Sequence, residues 1–142
     1  MSVAIIDSNH IMKRIEDWEK RVNELMKNIV EWARGHPEWQ IEQGNMIQRE
    51  EHLMKKYGVP PRSLPTLNMY NRGRRISIVP SALWIVGANG RVNMITNSSL
   101  YILVDRGGEE GNPSDWHYST PDTKPHTKPF DKEAFVKILD EN

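Results

Sequence analysis

Between Ile11 and Trp32 the apolar residues recur at 11, 15, 18, 22, 25, 29 and 32, alternating steps of four and three through three heptads. This spacing lines them along one stripe of an α-helix and constrains the fold more than any other feature of the chain. Ser8 or Asn9 can cap the start by accepting a bond from an otherwise unpaired main-chain N–H, and Gly35 and Pro37 end the helix. At about 1.5 Å per residue, positions 8–34 make a rod of roughly 40 Å. That is comparable with the diameter of a domain whose radius of gyration is about 14 to 15 Å, so the helix spans the domain or projects from it.

As a coiled coil, the helix has Ile15, Val22 and Ile29 at a, and Ile11, Trp18, Leu25 and Trp32 at d. Branched residues at a suit two strands, but two Trp at d are too bulky for a narrow seam, and Met12, Met26 and Ala33 widen the stripe further. The favoured expectation is packing on the domain's own core. Pairing of two copies through Trp18, Leu25 and Trp32 is the alternative.

With 142 residues the chain is one domain by length, able to bury a core without staples. Cys is absent, which excludes disulfides, thiolate metal sites and a cysteine nucleophile. The opening residues do not make a signal peptide and no segment approaches a membrane span, so a soluble cytoplasmic protein making no membrane contact is expected.

The net charge is zero but unevenly distributed. Residues 1–48 hold 6 basic and 8 acidic groups, residues 49–75 hold 7 and 2, and residues 76–142 hold 6 and 9. A neutral total argues against broad coating of nucleic acid, whereas the middle segment allows a local basic patch of Lys55, Lys56, Arg62, Arg72, Arg74 and Arg75.

Beyond Gly35, Trp39 and Ile41 alternate in a short strand. Asn45 and Gln48 have capping spacing for a second helix over 46–57, ending at Gly58. Residues 49–59 resemble the start of a helix-turn-helix, but Pro60, Pro61 and Pro65 spoil the recognition helix that should follow. Strands are expected at 75–79, 82–87, 91–96 and 100–105. Asn89-Gly90 suits a type I′ hairpin that would set Ile85 opposite Met94 and Trp84 opposite Ile95, and residues 97–99 form a second tight connection.

Because Leu100, Ile102 and Val104 alternate with Tyr101 and Leu103, both sheet faces need cover. The first helix supplies one layer. A C-terminal helix over 131–141, with Phe135, Ile138 and Leu139 at helical spacing, supplies a smaller second one. A long Gly- and Pro-rich loop spans 106–130, interrupted by Trp116-His117-Tyr118 as a short edge strand. The expected fold is therefore α+β: an antiparallel meander of three to four strands against a long N-terminal and a short C-terminal helix. The single domain divides into a helical part at 1–58, a strand-rich part at 59–105, the loop at 106–130 and the terminal helix at 131–142.

Three groups of residues could carry chemistry. His10, His36, His52, His117 and His126 lack helical metal-ligand spacing, so they read as surface histidines and no metal or other cofactor is expected. Asp105 ends an apolar strand, with Glu109, Glu110, Asp115 and His117 following. A carboxylate orienting His117 as a base, or carboxylates holding a cation, would give a small metal-assisted hydrolase, with Asp105 and His117 as catalytic candidates. No nucleophile elbow, P-loop or dinucleotide fingerprint accompanies them.

The third group is Arg72, Arg74 and Arg75 around Gly73, joined by Arg62 if the fold brings it near. Their planar forks match phosphate or carboxylate. Glu109 and Glu110 could instead neutralise them within the chain. Trp18, Trp32, Trp84 and Tyr101 read as core rather than as an aromatic cage. The leading functional expectation is a non-enzymatic binding or regulatory module that meets an anionic macromolecule, an acidic protein surface or nucleic acid, through this basic surface and the amphipathic helix. The hydrolase and a nucleic-acid-binding protein are the alternatives.

Overall fold

The computed structural model describes residues 7–108, 112–123 and 126–142. Helix α1 (Ser8–Ala33) is followed by β1 (Gln40–Ile47), the single-turn α2 (His52–Lys56), β2 (Ser63–Asn71), β3 (Arg74–Ala82), β4 (Arg91–Thr96), β5 (Leu100–Asp105), β6 (Trp116–Ser119), β7 (Lys128–Pro129) and α3 (Lys132–Glu141). The fold is α+β, and its sheet is one antiparallel meander in the order β1-β2-β3-β4-β5-β6-β7, seven strands rather than three to four.

α1 follows its heptad, with Ile11, Ile15, Trp18, Val22, Leu25 and Ile29 all buried against the sheet. Its N-cap is Asp7, whose Oδ1 accepts the His10 N–H, rather than Ser8 or Asn9. Trp18 and Leu25 lie inside the chain's own core, and Trp32 packs edge-on to Phe130, 5.9 Å between centroids. These three side chains are therefore spent within one copy.

α3 starts at an Asp131 cap and buries Phe135, Ile138 and Leu139 as expected, but on the same side as α1, where Phe135 meets Trp32. Strand alternation points Leu67, Met69, Ile76, Ile78, Val92, Met94, Tyr101 and Leu103 toward the helices. Among the described residues, neither α1 nor α3 covers the opposite face, where Leu64 at the start of β2 is nevertheless buried in the core cluster together with Met54 of α2. There Ile102 is buried without belonging to the core cluster, screened by its cross-strand neighbours Asn93 and Ser119.

Several boundaries differ from the sequence expectation. The helix expected over 46–57 shrinks to one turn because β1 runs through to Ile47. As Pro60, Pro61 and Pro65 imply, no recognition helix follows residue 59, and the chain instead forms β2, a strand not expected from the sequence. The Gln48 main-chain N–H donates to the Arg62 carbonyl at 2.8 Å, so the even-numbered residues of β1 and β2 form the hydrogen-bonded pairs. Pro65, opposite Asn45, therefore lacks an N–H only on the β3 side, beyond the point where β2 and β3 pair.

The 82–87 strand is absent because Glu51 takes the N–H groups of Leu83 and Trp84, both at 3.0 Å. β4 consequently pairs with β3, Met94 opposite Ile78 and Ile95 opposite Ser77, instead of with Trp84 and Ile85. The type I′ turn sits at Arg72-Gly73, where φ is +49° and +84° between the paired Asn71 and Arg74.

Gly90 has another task. Its φ is +129°, and a Cβ there would lie 2.6 Å from Cη2 of Trp18. Gly90→Ala combines a glycine-only backbone with overpacking and should lower unfolding free energy by about 2–5 kcal/mol. Gly58→Ala, also at positive φ but with open space around it, should cost about 1 kcal/mol. Urea denaturation of the two variants checks this, and equal losses would refute the close approach to Trp18.

Candidate functional site

Asp105 and His117, paired as catalytic candidates from the sequence, occupy opposite faces of the sheet. Asp105 stands opposite Trp116 in the β5–β6 ladder, so its side chain shares the helix-facing side. It is fully buried. Its Oδ2 accepts from Arg21 Nη1 at 2.9 Å, and its Oδ1 accepts the N–H groups of Gly107 at 2.9 Å and Asp115 at 2.8 Å. Arg21, itself buried, also donates to Asp17 at 2.8 Å and to the Asn89 carbonyl at 2.7 Å, and lies over the Trp18 ring at 5.2 Å. These contacts leave Asp105 as the anchor of α1 on the end of β5.

His117 faces the other way. Its Nε2 lies 3.2 Å from Asp115 Oδ1 and its Nδ1 3.3 Å from Thr127 Oγ1, which also accepts from Arg106 at 3.1 Å. Among the described residues, no three His, Asp or Glu side chains come together as metal ligands. Glu109 and Glu110 lie outside the described residues.

The basic group divides. Arg62 precedes β2 while Arg72 follows it, so about 30 Å of strand separates them. Arg62 instead pairs with Glu16 at 3.1 Å and Glu19 at 3.3 Å on α1, which corrects its assignment to the arginine cluster. Arg74 stacks over Trp39 at 5.1 Å and donates to the Asn142 carbonyl at 2.9 Å.

Arg75 turns onto the uncovered face. There it donates to Asn68 Oδ1 at 3.0 Å and stands 5.8 Å from the centroid of its cross-strand neighbour Tyr70. Asn97, in the β4–β5 turn, accepts the Arg75 main-chain N–H and donates to the Gly73 carbonyl, both at 3.0 Å, and so ties the two turns together. Arg72 makes no ion pair or side-chain hydrogen bond among the described residues. It borders an open hollow of about 350 Å³ with Glu38, Gln40, Tyr70 and Asn71.

Across this face run Tyr70 and Asn68 on β2, Arg75, Ser77 and Val79 on β3, Arg91, Asn93 and Ile95 on β4, and Leu100, Ile102 and Val104 on β5. Ser77 donates to Asn68 at 2.7 Å and Arg91 to Asn93 at 2.8 Å, so amides hold both the hydroxyl and the second arginine in place. Strands β2 to β6 contain one carboxylate, Asp105, and it points to α1. The sequence signal for this was a run from residue 52 to 104 with no Asp or Glu at all. It brings Arg91 into the site, a residue that the local arginine cluster did not include.

Compared with protein-family models, with curated proteins and with solved structures, the chain has no match.

The Arg21–Asp105 node predicts a specific pattern of stability. Arg21→Met leaves a buried carboxylate without its cation and should cost about 3–5 kcal/mol. Adding Asp105→Asn removes that charge while keeping an acceptor for Gly107 and Asp115, and should restore a substantial part of the loss. Additive effects of the two substitutions in urea denaturation would show that the pair is not coupled.

Proposed function

We propose that the protein is a non-enzymatic binding module that takes single-stranded nucleic acid across the uncovered sheet face. The observation that carries this reading is the stretch of face across β2 to β6 that holds no carboxylate, with Glu42 of β1 at its margin and Arg75 and Arg91 held by amides beside the partly exposed Tyr70 in a chain of zero net charge. Arginines at fixed positions suit phosphates, an aromatic ring beside them suits a base, and Asn and Ser side chains suit base edges. A duplex presents its stacked bases edge-on in grooves and would gain little from an open sheet. An acidic protein surface would satisfy the arginines but has no use for the ring. The amphipathic helix drops out of the contact, because its apolar stripe is buried in the core.

Arg72 adds support from strain. It is the sole non-glycine residue at positive φ among the described residues, in a turn position that Asn or Gly would fill more comfortably. Arg72→Asn should raise stability by about 1 kcal/mol while weakening nucleic-acid binding, an opposition that a purely structural turn residue would not produce.

Fluorescence anisotropy with short labelled single-stranded RNA and DNA, against the duplex and polyglutamate, tests the reading. Single strands should bind most tightly, with log affinity falling against log salt. Arg75→Ala and Arg91→Ala should each flatten that slope by about 0.7, and Tyr70→Ala should weaken binding by about 5- to 150-fold. No single-strand binding at low salt, undiminished binding by the double arginine variant, or stronger binding of polyglutamate would overturn it.

A further inference from the structure

The two edges of the sheet are built differently. At one edge β7 has only two residues, Lys128 and Pro129, the short, charged and proline-bearing kind of strand that blocks further pairing. At the other edge β1 is eight residues long, with neither Pro nor Lys, and Glu42 is its one charge. Because the even-numbered residues bond to β2, the N–H and C=O groups of Ile41, Gln43, Asn45 and Ile47 point away from the sheet. Among the described residues no other element reaches them.

The same segment is close to palindromic about Gly44. Gln43 and Asn45 are both amides, and Ile41 and Ile47 are identical. Ile47 is 69% exposed, more than any other large apolar side chain in a strand among the described residues.

We infer that β1 pairs antiparallel with β1 of a second copy of this chain, about a two-fold axis through Gly44, joining two seven-stranded sheets edge to edge. In that register Ile41 faces Ile47 of the second copy and Gln43 faces its Asn45, each twice by symmetry. Every outward main-chain group of the four residues then gains a partner. Glu42 faces Met46 of the second copy, so no like charges meet. Gly44 faces its own copy at a non-hydrogen-bonded site, where Cα atoms come within about 4.5 Å.

A glycine inside a strand marks just such a close main-chain approach. A slip of one residue sets outward groups against inward ones, and a slip of two leaves Ile41 or Ile47 without a strand partner. The blunted β7 edges then lie at the two ends, so pairing closes at two copies.

Sedimentation equilibrium of the full chain reads the result. The mass should approach twice 16.5 kDa as concentration rises. Gln43→Pro and Asn45→Pro each remove only an outward donor and should yield monomers that keep the far-ultraviolet circular dichroism of the parent. Ile47→Lys, at an exposed position, should raise the dimer Kd by about tenfold or more and keeps the test valid if the prolines disturb folding. A parent chain monomeric at all concentrations, or a dimer that survives Ile47→Lys and the folded proline variants unchanged, would overturn the inference.

Discussion

A buried ion pair joins the long helix to the sheet, and much of the chain's irregular backbone exists to enclose it. Arg21 occupies a position on α1 that the heptad leaves polar, yet it is buried as deeply as the apolar residues around it. Such a guanidinium is tolerable only if its donors are met, and Asp17, Asp105 and the Asn89 carbonyl meet them. Two glycines close around the group: a Cβ at Gly108 would stand 2.7 Å from Arg21 Cδ, and one at Gly90 would enter the Trp18 ring. The loops before β4 and after β5 are thus shaped by one charge pair, which also fixes how α1 lies across the strands.

Once α1 and α3 are both committed to one face, the other face must be stable in water with apolar residues on it. Ile102 manages this by sitting between Asn93 and Ser119, while Arg75 and Arg91 spread over neighbouring strands with their guanidinium groups bound to amides. Acidic partners would have neutralised these arginines more strongly than amides do. Strands β2 to β6 hold none on that side and Glu42 of β1, opposite Asn68, makes no ion pair with Arg75, whereas Arg62, where carboxylates are supplied, shows the contrast through its pairs with Glu16 and Glu19. The difference between Arg62 and Arg75 lies within a single chain: one arginine is bound by two carboxylates, and the other is held by an amide and makes no ion pair among the described residues.

What could be read from the sequence was what a single element determines. The α1 stripe, the α3 stripe, β4, β5 and their tight connection follow from local periodicity and turn residues. What escaped was set by partners distant in sequence. Asn89-Gly90 has the composition of a hairpin turn, but its glycine answers to Trp18. Leu83 to Val86 has the composition of a strand, but Glu51 claims its N–H groups. β2 contains Pro65, which is harmless only in the register that β1 imposes. For the site, the arginines near Gly73 were visible as a cluster, whereas Arg91 and Tyr70 join it only through cross-strand registers that no linear spacing encodes.

The uncovered face and the open edge are consequences of the same economy in layers. A seven-strand sheet offers two faces and two edges, and this chain supplies helices for one face and a blunting strand for one edge. On the face left open, the apolar residues are interspersed with arginines and amides, a mixture that resists sheet stacking and suits a hydrated, charged ligand. Along the open edge, the side chains are nearly uncharged and symmetric about a glycine, a mixture that does little to resist strand addition and suits another main chain. Face and edge thus present different chemistry, side-chain charge and amides on the one and unpaired main-chain groups on the other, so a substitution at either leaves the other in place.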